Sequence, residues 1–169
     1  MIHSAKRVAH LAGILILVTA CGNGTGPGNG GGGGGGSGSV VVTAATPASG
    51  NGTIAGIAVG QDTITISAVL HRAVRLTGSV GTVEHSVEIY FEDGTGTLYS
   101  AAHTWGSNIG GNPPVVDGVL ACDVPISNNC GAAQVSVDVV AKTVTLTNLV
   151  LPAILPAGAA STINGTISC

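Results

Sequence analysis

The segment VEHSVEIYFEDGTGTLYSAAHTW, residues 83–105, carries most of the side chains in this chain that could do chemistry. Its first half alternates. Val83, His85, Val87, Ile89 and Phe91 share one face of an extended strand, and Glu84, Ser86, Glu88, Tyr90 and Glu92 share the other. Asp93-Gly94 between alternating runs is a signal for a two-residue hairpin, because a type I′ turn needs positive φ at both central positions. With that turn Glu92 faces Thr95, Glu88 faces Tyr99 and Glu84 faces His103. One surface then collects Glu84, Glu88, Tyr90, Tyr99 and His103, with Trp105 at its end, a polar patch with aromatic anchors suited to recognition. A Glu84–His103 pair could also hold a divalent ion or move a proton. Glu84, Glu88 and Glu92 cannot converge on one ion, since positions four apart along a strand are separated by about 13 Å. A three-residue loop within EDGTG gives the opposite arrangement. It inverts the second strand and places Tyr99, His103 and Trp105 in the core, which the usual burial of large aromatics favours.

Other candidate groups are sparse. His71, beside Arg72 at a strand end, is expected in solvent. His85, on the apolar face, is expected as a buried, hydrogen-bonded histidine rather than a ligand. The sequence has no G-x-S-x-G elbow, no H-E-x-x-H and no cysteine–histidine arrangement, so no catalytic residue, metal set or cofactor is assigned.

The elements that position this segment are strands. "SVVVTAA", "TIAGIAV", "TITISAVL", "AVRLTGS", "QVSVDVV", "TVTLTNLVL" and "STINGTISC" join the two halves of the hairpin, and no helix-period segment competes. "QVSVDVV" and "TVTLTNLVL" form a hairpin across Ala141-Lys142. "STINGTISC" alternates through Asn164-Gly165 and reads as one strand, with or without a bulge. "NPPVVDG", 112–118, reads as a loop joining two sheets. The expected fold is all-β: an antiparallel, immunoglobulin-like β-sandwich of eight or nine short strands spanning residues 40–169.

The cysteines divide into two kinds. Cys122 and Cys130 bracket the turn-rich "CDVPISNNC" and are the cheapest pair to bridge, while Cys169 falls on the apolar face of the last strand. Cys21 sits elsewhere, at the end of an apolar run. Lys6 and Arg7 precede Val8–Ala20, a 13-residue apolar segment too short to span a bilayer. A basic start, a short apolar core and small residues at its end describe an export signal, residues 1–20.

Leu17-Val18-Thr19-Ala20-Cys21 resembles the lipobox of bacterial lipoprotein precursors, a likeness confined to residues 1–21. It implies cleavage before Cys21, a diacylglyceryl group on its thiol and membrane attachment through that lipid. Gly22 in place of an aspartate implies, in a Gram-negative envelope, delivery to the outer membrane. Residues 22–39 follow, with 12 glycines in 18 positions, a composition that cannot offset its backbone entropy by burial. As a flexible coil it would span about 23 Å, and residues 21–39 are read as lipidated cysteine plus tether.

From Gly22 onward three basic residues face eight acidic ones, a net charge of −5. That balance argues against nucleic acid, whose binding depends on lysine and arginine neutralising phosphates. The function expected is a non-enzymatic module of the bacterial envelope that binds an envelope protein or a surface polymer. The alternative is an enzyme or metal-dependent binder using Glu84, Glu88 and His103.

Overall fold

The computed structural model describes residues 36–60, 64–66, 68–125, 129–130, 134–158 and 160–168. The expected signal, Cys21, the stretch up to residue 35 and Cys169 lie outside the described residues. Among the described residues there are eleven strands: β1 (Gly36–Thr43), β2 (Gly52–Gly60), β3 (Ile64–Ile66), β4 (Val69–Val80), β5 (Val83–Glu92), β6 (Leu98–Gly106), β7 (Gly118–Asp123), β8 (Val135–Asp138), β9 (Thr143–Leu151), β10 (Ala153–Leu155) and β11 (Ser161–Ser168). The chain is all-β and antiparallel, as the alternation requires, with more strands than the eight or nine expected. "TITISAVL" breaks into a hairpin of β3 with the start of β4. β7 and β10 come from stretches that show little alternation. β1 begins inside the glycine-rich stretch, where Gly36–Ser39 pair with β2 and β11 rather than continuing a tether.

The strands follow one hydrogen-bonded path, β10-β7-β6-β5-β4-β2-β1-β11-β9-β8, with β3 attached to β4 off the path. A sheet this wide curls rather than staying flat. The inward positions of both halves supply one core, including Val40, Ile54, Leu76, Ile89, Leu120, Leu146 and Ile163. The curl also brings the β5–β6 turn against β8, where Gly96 lies directly on Val137. The 112–118 stretch, expected to join two sheets, instead belongs to the connection between neighbouring strands β6 and β7, ending on the first residue of β7, and an Asn108–Val115 bridge stitches that connection.

Local chemistry fixes the register. β8 and β9 form the expected hairpin. β11 runs unbroken through Asn164-Gly165, and the irregularity lies opposite, where β9 carries an extra residue between Leu146 and Leu149. Asn148 adopts a positive φ of 51°, and its N–H donates to Asn164 Oδ1 at 2.6 Å. Asn164 thus satisfies a backbone donor that the bulge removes from the ladder. The outer edge strand β10 is three residues long and lies between Pro152 and Pro156, which limits its use as a template for further strands. Cys122, on β7, is bonded to Cys130, with Cα atoms 4.9 Å apart.

Candidate functional site

The hairpin that should carry a recognition patch turns differently. The Glu92 N–H donates to Thr97 O at 2.8 Å and the Gly96 N–H to Glu92 O at 3.0 Å, so the connection is the four residues Asp93–Gly96. Gly94 and Gly96 supply the positive φ angles, 90° and 72°. Glu92 therefore faces Thr97, not Thr95. That turn alone would keep Tyr99, His103 and Trp105 on the glutamate face. The inversion comes one step later. Phe91 pairs with Leu98 but Tyr90 pairs with Ser100, leaving Tyr99 as an extra residue in β6. One inserted residue exchanges the two faces of everything beyond it. Glu88 then pairs with Ala102, Glu84 with Gly106, and Val87 with His103.

The expected patch is consequently dispersed. Glu84 and Glu88 stay on the outward face, whereas His103 and Trp105 are fully buried on the inward one. Glu84 accepts the Ile109 N–H at 2.9 Å, holding the loop after β6. Glu88 is ion-paired with Arg75 across β4 and β5 and accepts the Tyr90 hydroxyl at 3.5 Å. Burial first, then the Glu88 charge, push the Tyr90 phenol up to about 12, so it stays protonated. Tyr99 is half-buried at the bulge, its ring edge-on to His71 with centroids 4.4 Å apart. His71 is not in solvent as expected. It is buried, and its Nδ1–H donates to the Val69 carbonyl at 3.0 Å. Glu84, Glu88 and His103 cannot meet on one substrate or ion, because the sheet lies between them.

What the inversion assembles is a buried imidazole pair. His85 on β5 pairs with Gly78 on β4 and with Trp105 on β6. Its Nδ1 lies 3.0 Å from His103 Nε2, with the rings near parallel at 9° and centroids 5.3 Å apart. His103 in turn stacks on Trp105 at 4.9 Å. His85 is thus the buried, hydrogen-bonded histidine expected of its face. The remaining nitrogens, His85 Nε2 and His103 Nδ1, have no partner among the described residues. A neutral imidazole carries one N–H and one lone pair. Whichever ring donates to the other, one donor and one acceptor are therefore left over. Burial lowers the His103 pKa to about 3, the charge of His85 acting in the same direction, and burial also lowers that of His85. Both rings are neutral at pH 7. Among the described residues no three His, Cys, Asp or Glu side chains gather as a metal set.

Trp105 closes the cluster. Its Nε1–H donates to Ser49 Oγ at 3.2 Å, in the short 3-10 turn Ala48–Gly50. The indole lies against two glycines, since a Cβ at Gly118 would come within 2.1 Å of its ring and one at Gly50 within 2.6 Å. Sequence reasoning missed Ser49, Gly50 and Gly118. The only sequence signals for them were glycines next to turn formers. Compared with family models, curated proteins and solved structures, the chain matches none.

Proposed function

We propose that this chain is a lipid-anchored protein of the bacterial envelope whose sheet is a non-catalytic body for binding or assembly. The observation that carries the anchor is the lipobox-like Leu17–Cys21 at the end of a short apolar segment with a basic start. Two or more acyl chains on one residue hold a protein at a bilayer, where a single chain gives marginal attachment. Gly22 after the cysteine supports an outer-membrane destination in a Gram-negative envelope.

Two features of the body support binding over catalysis. The residues with the best chemical credentials are engaged in structural contacts on opposite faces of the sheet. The outward face, by contrast, carries a register row of neutral groups, the hydroxyl residues Thr143, Ser168, Ser37, Thr77, Ser86 and Thr104 with exposed Ile57 among them, one from each of seven adjoining strands. None of these is buried. Such a surface suits an uncharged polymer or protein partner better than an ionic one. The sandwich reading of the body is supported by the approach of β6 and β7 to β9 across the core.

Expression of the precursor in a Gram-negative host tests the anchor. The mature N-terminal peptide should begin at a Cys21 carrying diacylglyceryl and fatty acyl mass, and the protein should fractionate with membranes. Cys21→Ser should leave the leader attached and yield no lipid-modified peptide. An unmodified thiol at position 21 in the wild-type chain overturns the reading.

A further inference from the structure

The end of the sheet where β1 begins has an unusual tip. The β8–β9 turn, Val139-Val140-Ala141-Lys142, replaces the glycine, asparagine and aspartate common in turns with two valines and an alanine. Asp138 Oδ1 accepts the N–H groups of Val140 at 3.0 Å and Ala141 at 2.8 Å, so the carboxylate braces the loop from within. Val140 is 89% exposed, the most exposed large apolar side chain among the described residues, and Val139 is exposed beside it. Lys142, exposed at the base of the turn, is the only lysine besides Lys6.

This tip lies where the chain enters the sheet. Thr143 pairs with Ser168 and Ser168 with Ser37, so Gly36 is two strand spacings away, about 10 Å. The same end holds exposed Val69 and Leu70. The β5–β6 turn links them to β8, because the Asp93 N–H donates to Leu70 O at 2.8 Å and Gly96 rests on Val137. Between Cys21 and Gly36 run about 15 residues, whose covalent reach is at most about 50 Å.

We infer that this end of the body contacts the bilayer that holds the anchor, with Val139 and Val140 entering the headgroup region and Lys142 reaching back to the phosphates. The inference rests on the lipid-anchor reading and adds the orientation of the body. A lysine beside exposed apolar side chains suits an interface, since its stem lies along apolar surface while its ammonium stays hydrated. Three of the described carboxylates at this end are engaged: Asp93 with Arg72, Glu92 with the Thr95 hydroxyl, and Asp138 with the loop amides. The opposite end also exposes apolar residues, Val115, Ile154 and Leu155, but it points away from the entry of the chain.

The test uses the full chain, processed in a bacterial host and reconstituted into phosphatidylethanolamine–phosphatidylcholine vesicles with or without brominated acyl chains. V140W and L155W are compared, Trp105 providing a constant buried background. Interfacial side chains sit about 5–10 Å into the headgroup and acyl boundary, so the added emission of V140W should fall about twofold with brominated lipid and that of L155W should not change. Protein that floats with the vesicles but shows no quenching of V140W, or quenching of L155W instead, overturns the orientation alone. Protein that fails to float overturns the anchor, and the contact with it. Concentration-dependent dimerisation that Val140→Asp abolishes, with V140W unquenched, assigns the tip to a second copy of the chain and also overturns the inference.

Discussion

Acidification from pH 7 to pH 4.5 should remove a few kcal/mol of folding stability through two buried histidines. His85 and His103 are buried neutral, with pKa values lowered by that burial, the latter to about 3. In the unfolded chain both return to about 6.5. Below that value the unfolded state binds protons that the folded state refuses, so the contribution is fully present above pH 6.5 and is lost as the pH falls toward 3. Each refused proton costs about 1.4 kcal/mol per pH unit. His103 alone then contributes a loss of roughly 2–3 kcal/mol at pH 4.5, and His85 adds to it. Their sheet neighbours do not offset this, for Gly78, Val87, Leu120 and Trp105 are all uncharged. Urea titrations at a series of pH values should give a midpoint that declines steeply below pH 6.5. His103→Leu should flatten the decline, whatever it does to stability at pH 8. A midpoint independent of pH between 7 and 5 would place the imidazoles in solvent.

A single methyl group at Gly118 should be nearly as damaging. Built on the existing backbone it lies 2.1 Å from Trp105 Cζ2, far inside van der Waals contact, and the indole is also stacked on His103 and packed against Gly50. Overpacking a filled core costs typically about 1–3 kcal/mol, and a clash with a buried ring already held by His103 and Ser49 belongs at or above the top of that range. Gly118→Ala should therefore lose about 3 kcal/mol or fail to accumulate. The partner is identified by coupling. In the background of Trp105→Leu, itself destabilising, Gly118→Ala should cost at least about 1 kcal/mol less than in the wild-type chain. Equal costs in the two backgrounds, measured by denaturant unfolding, would mean that the glycine is required for its backbone and not for the indole.

Much of the fold was readable because each strand buries one face. The alternation in 83–91 and 161–169 placed His85, Ile89, Ile163 and Ile167 inward, where they lie. The Cys122–Cys130 bond and the β8–β9 hairpin followed from short, turn-rich separations. The inverted second strand, with His103 and Trp105 in the core, was readable from the usual burial of large aromatics; its cause was not, because one extra residue at Tyr99, rather than a three-residue loop, makes the exchange. In LYSAAHTW the parity of Tyr99, His103 and Trp105 carries most of the large side chains, but apolar Leu98 has the opposite parity, so the pattern does not say where the extra residue falls. The bulge at Tyr99 is set by tertiary pairing, with β7 following on the far side of β6 and the Val124 N–H donating to Tyr99 O at 2.9 Å. β10 escaped notice for a similar reason. Three residues between prolines have no periodicity to display, and only the neighbouring β7 makes them a strand.

One tryptophan makes the arrangement of the hairpin directly measurable. With the face inverted at Tyr99, the emission of the mature wild-type protein at neutral pH should be blue, and iodide should not quench it until denaturant unfolds the chain. A red emission that iodide quenches in the folded protein would return Trp105 and His103 to the surface beside the glutamates, and the buried imidazole pair would not exist.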